Sequence, residues 1–84
     1  MIERLRSKII SKPRTPRDEG YNTGILQAIE IIEESSSLEE ADTKLKKAYK
    51  AYKSNATGLN RDFGRGSAIL SARSMISAER KKTK

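Results

Sequence analysis

Leu38, Ala41, Leu45, Ala48 and Tyr52 are spaced three, four, three and four residues apart, with Tyr49 beside them. That rhythm lines up apolar side chains on one side of an α-helix and predicts a helix from about residue 38 to 53. Ser37-Leu38-Glu39-Glu40 reads as its capping box. The first turn is acidic and later turns carry Lys44, Lys46, Lys47, Lys50 and Lys53, a polarity that suits the helix dipole. Glu40 and Lys44 form a favourable i,i+4 pair. Upstream, Tyr21, Ile25, Ala28, Ile29 and Ile32 follow the same spacing. Thr15-Pro16-Arg17-Asp18 supplies a capping hydroxyl, a proline at the first helical position and an early acid, so a helix is predicted over about 16–34. Ser35-Ser36-Ser37 ends it. SNATGLN (54–60) reads as a connection in which Gly58 is free to take a positive φ. Asn60 then caps a third helix over about 61–80, with Asp62 in its first turn. Ile2, Leu5 and Ile9 mark a short N-terminal helix, 2–11, that must dock to be stable. The predicted fold is all-α: one domain over 1–84, a small bundle of three main helices, a basic N-terminal arm (1–15) and a basic frayed tail (81–84). Short links make neighbouring helices antiparallel, and so make the first and third main helices parallel.

One pattern recurs across two of these helices. Residues 17–28 read RDEGYNTGILQA and residues 61–72 read RDFGRGSAILSA, an offset of 44. Gly20, Gly24 and Ala28 are four apart and stack on one side of a helix, as do Gly64, Ala68 and Ala72. An interior glycine costs a helix about 1 kcal/mol relative to alanine, so these glycines need a reason. The two small-residue ridges face each other inside one bundle, or pack across a dimer, or leave backbone N–H groups open to an anion at a helix start. The last reading suits Gly64-Arg65-Gly66-Ser67, although this is no phosphate loop of the G-x-x-x-x-G-K-[ST] kind.

Composition narrows the chemistry. The chain has no His and no Cys, which removes the commonest general base, thiol nucleophiles, disulfides and zinc thiolate sites. It has no Val and no Trp, one Phe and three Tyr. Glu30, Glu33 and Glu34 are the closest approach to a carboxylate cluster and read as a solvated face. The expectation is a non-enzymatic protein without cofactor or metal. No apolar run approaches the ~20 residues that span a bilayer, and Ile9-Ile10 is no signal-peptide core, so a cytoplasmic protein without membrane partners is expected.

Net charge is +7, and its distribution is uneven. Residues 1–17 sum to +5, residues 18–43 to −8, and residues 44–84 to +10. Such segregation points to a polyanionic partner for the basic parts, or to acidic and basic helices lying side by side. In the basic half, Lys46, Lys50 and Lys53 share one side of the second main helix with Lys47 nearby, while Arg61, Arg65 and Arg73 lie on the third. With Ser67, these are the candidate nucleic-acid or phosphate-binding residues. Tyr49 and Tyr52 are core residues first by their spacing, and base-stacking candidates second. Zinc-finger, RRM and homeodomain signatures are absent, and SNATGLN is longer than a helix-turn-helix turn.

The stretch DEGYNTGILQAIEIIEE (18–34) resembles a helix found in small, mostly uncharacterised proteins encoded by tailed bacteriophages, in which an acid and Gly-Tyr-Asn precede a Gly-x-x-x-Ala-Ile helix. The resemblance implies a viral accessory protein in the host cytoplasm and carries no site residues with it. Three functions follow as expectations: a binder of nucleic acid or a phosphate-bearing ligand; an inhibitor or adaptor on a host or viral protein, using the basic 2–11 segment; and a homo-oligomer, a dimer foremost, built on the Gly/Ala ridges.

Overall fold

Among the residues it describes, 1–82, the computed structural model holds four helices and no strand: α1 (Ile2–Arg6), α2 (Pro16–Glu34), α3 (Leu38–Asn55) and α4 (Arg61–Lys82). Their starts follow the local chemistry. Thr15 is extended, and its hydroxyl accepts the Asp18 N–H at 3.1 Å. Ser37 accepts the Glu40 N–H at 3.1 Å. Glu40 returns the favour one residue further out than a capping box prescribes, accepting the Ser36 N–H at 2.8 Å. Asn60 accepts the Phe63 N–H at 2.9 Å, and Gly58 has φ +59°. Each such cap stabilises by about 1 kcal/mol.

The helix ends depart from expectation in three places. α3 runs to Asn55, because Ser54 and Asn55 both donate to the Ala51 carbonyl and finish its last turn. α4 continues through Lys81 and Lys82, where three basic residues meet the negative end of the dipole. The tail expected to fray at 81–84 is therefore helical in its first half, and Thr83 and Lys84 lie outside the described residues. α1 stops at Arg6 instead of reaching residue 11. Lys8 and Ile9 N–H groups bond only three residues back, to the Leu5 and Arg6 carbonyls. Ile10 is then held by α2: Asn22 accepts its N–H at 2.7 Å and donates to its carbonyl at 2.9 Å. Those two bonds replace helical ones, and Pro13 disfavours helical backbone at the preceding Lys12.

α2 and α4 lie side by side and parallel, in register through the 44-residue offset. Gly20 abuts Arg61, Gly24 abuts Arg65 and Ala68, and Gly64 abuts Arg17 and Tyr21. α3 runs antiparallel to α4, with Asp42 beside Arg73 and Tyr49 and Tyr52 over Gly66. The core is Leu5, Ile25, Ile29, Leu45, Ile69, Met75 and Ile76, with Ala28, Ala41, Ala68 and Ala72 where helices come closest. The short α1 is fastened by Leu5, whose full burial is worth about 1.5–3 kcal/mol, with Met1 and Ile2 packed half-buried beside it, and Asn22 holds the link behind it at Ile10.

Candidate nucleic-acid interface

The small-residue ridges are spent on packing within the chain. All of Gly20, Gly24, Ala28, Gly64, Ala68 and Ala72 are buried. A Cβ placed on Gly20 would lie 2.0 Å from the Arg61 carbonyl oxygen, and one on Gly64 would lie 2.0 Å from the Arg17 carbonyl oxygen. The two contacts exchange under the offset of 44: the repeat is one helix pair viewed from its two sides. Each glycine Cα–H points at a backbone carbonyl, the geometry of a weak C–H···O contact. With both ridges covered, neither forms a dimer interface in this fold. The anion cradle expected at Gly64–Ser67 is also closed. The Phe63 N–H is held by the Asn60 side chain, the Gly64 N–H by the Asn60 carbonyl, and Gly64 faces Arg17.

The three candidate arginines cross-link helices. Arg61 donates twice to Glu19 on α2, at 2.7 and 3.1 Å. Arg73 donates to Asp42 on α3 at 3.0 Å. Arg65 donates to Asp62 at 2.7 Å and lies over the Tyr52 ring, 5.8 Å from its centre. Tyr52 in turn donates its hydroxyl to Gln27 on α2. Two of these pairings, Arg61–Glu19 and Arg73–Asp42, join the basic α4 to the acidic 18–43 block, as helices of opposite charge lying side by side would do, while the Arg65–Asp62 pair stays within α4.

The candidate lysines differ. Lys46, Lys47, Lys50 and Lys53 are exposed on α3, Lys53 at the edge of the groove toward α4, and none has a carboxylate partner among the described residues. Only Lys44, one turn earlier, is paired, with Glu40 at 3.8 Å.

Two grooves flank the exposed side of α4. One, between α3 and α4, is lined by Tyr49, Lys53, Phe63, Gly66, Ser67 and Leu70, with Ala56 and Asp62 at its end. The other is lined by Lys8 and Ile10 of the arm, Arg17, Asp18 and Tyr21 of α2, and again Ser67. Ser67 thus stands where the grooves meet, while the other predicted phosphate ligands of α4 lie in ion pairs. The sequence spacing places Tyr21 on a buried face only and gives Phe63, Leu70 and Asn22 no site role. The repeat held the signal: Phe63 stands where the first copy has Glu19, and Gly66 where it has Asn22. Where two copies of a packing motif differ, the residue answers to something other than the shared packing.

A third depression, at the other end of α3 and α4, is lined by Asp42, Arg73, Ser77, Arg80 and Lys81, and its arginine at 73 is already paired. Among the described residues no group of three or more acidic side chains is placed to hold a metal ion, and no helix is long and apolar enough to cross a membrane. No family model, curated protein or solved structure matches the chain.

Proposed function

We propose that this protein is a non-enzymatic binder of nucleic acid, held electrostatically on the lysine face of α3. The observation that carries the reading is the contrast between the two kinds of cation. The arginines at 61, 65 and 73 are each neutralised by a carboxylate inside the molecule, whereas Lys46, Lys47, Lys50 and Lys53 are exposed and unpaired among the described residues. Unpaired lysines on a rigid helix attract a phosphate backbone and release its counterions on contact. On the resemblance of residues 18–34, the setting is that of a phage accessory protein acting in the host cytoplasm.

The test is a salt titration of binding to labelled DNA and RNA by fluorescence anisotropy. Replacing Lys46, Lys50 and Lys53 together by Gln leaves the core untouched and is expected to flatten the dependence of log K on log salt. Each lost phosphate contact removes roughly 0.7–0.9 from the slope. Absence of binding by the wild-type protein near ~50 mM salt, where such contacts are strongest, defeats the proposal.

A further inference from the structure

We infer that the partner is single-stranded, and that its bases stack in the groove between α3 and α4. The inference rests on the lysine-face reading and deepens it.

The chain holds four aromatic side chains, Tyr21, Tyr49, Tyr52 and Phe63. Tyr52 is engaged by Gln27 and Arg65. The other three line the two grooves that meet at Ser67. Phe63 is 38% exposed although it opens a helix in a chain with little large apolar material to spare, and Leu70, two turns on, is 44% exposed. The exposed side of α4 between them carries Ser67 and no charge.

Cations rim this face. Lys53 lines the same groove as Phe63, Lys50 and Lys46 continue its row along α3, and Lys8 and Arg17 line the groove on the far side. The carboxylates in the grooves are balanced locally: Asp62 accepts from Arg65, and Asp18 accepts the Arg14 N–H and lies 3.7 Å from Arg17. The lysines therefore face the solvent with their charge uncompensated. An uncharged aromatic floor beside a row of free cations is what a single strand recognises, since its bases are unstacked and its phosphates lie alongside. A duplex keeps its base faces stacked on one another and so leaves the aromatic floor without an occupant.

The experiment compares oligothymidylate, oligouridylate, a DNA duplex and inorganic polyphosphate on the full chain at low salt. Because there is no Trp, the intrinsic emission is that of the three tyrosines, two of which, Tyr49 and Tyr21, line the grooves. Both single strands are expected to bind more tightly than the duplex and to quench tyrosine emission, while polyphosphate binds without quenching. Phe63→Ala is expected to weaken single-strand binding by roughly 5- to 150-fold, the range of one base–aromatic stack, and to leave polyphosphate binding unchanged. Phe63→Tyr restores the affinity and Phe63→Leu does not. Equal affinity for strands, duplex and polyphosphate, or wild-type strand binding by Phe63→Leu, overturns this inference and leaves the lysine face standing. Failure of all four polymers to bind overturns both. Circular dichroism of each variant shows whether the fold is kept; if Phe63→Ala unfolds the chain, the Tyr/Leu pair of variants and the quenching decide the matter.

Discussion

A methyl group added at Gly66 would come no closer than 3.6 Å to the Tyr49 ring, an ordinary contact. The same methyl at Gly20 or Gly64 would stand 2.0 Å from a backbone carbonyl that two helices hold in place. Glycines that look alike in sequence therefore answer substitution in opposite directions. Gly66→Ala is expected to raise stability by up to ~1 kcal/mol, the helix-propensity difference, seen as a higher urea midpoint. Gly20→Ala and Gly64→Ala are expected to cost ~3 kcal/mol or more, the upper end of overpacking, because a carbonyl has no rotamer to retreat into. Gly58 is a third case. Its neighbourhood is open, but its φ of +59° makes Gly58→Ala cost roughly 1–2 kcal/mol through the backbone alone. The same urea series ranks all four variants, and an order other than this one contradicts the packing described.

At the level of elements, α1 and the link behind it show what a sequence conceals. The three long helices were legible because each declares itself locally, through a 3–4 rhythm and a capping side chain within three residues of its start. The 2–11 segment has the rhythm but not the helix beyond Arg6. What stops it is Asn22, twelve residues away from Ile10, making a paired contact no local pattern announces. Asn22→Ala removes both bonds at a cost of about 1–3 kcal/mol. It is expected to release the arm first, read as faster amide exchange at Ile10 and early proteolysis between Lys8 and Arg14 while α2 to α4 stay protected. The site was legible to the same degree. The lysine face follows from i, i+4, i+7 spacing, but the fate of the arginines depends on Glu19 and Asp42 arriving from other helices. The Arg61–Glu19 pair is half-exposed, so Arg61→Gln is expected to cost no more than ~1 kcal/mol in the same unfolding assay, a small effect that separates a surface bridge from the glycine contacts.

The whole molecule measures 39 × 27 × 20 Å with a radius of gyration of 12.4 Å, close to the ~12 Å of a compact chain of this length. The ridges that suggested a dimer are consumed within it, so light scattering is expected to return the mass of one chain, 9.4 kDa. A stable dimer would require another face, the exposed Phe63–Leu70 side foremost. The parallel crossing of α2 and α4 has a further consequence, one of order in time. Its closest backbone approaches join segments 44 residues apart, so they form only after a long loop has been closed. During synthesis α2 leaves the ribosome with its glycine notches bare, and α3 can fold back on it before α4 exists. Until α4 emerges, those notches are as open to the corresponding helix of a neighbouring copy as to the chain's own. Refolding at high concentration therefore offers α4 two equivalent destinations, and an exchanged pair of chains is the kinetic by-product this architecture invites.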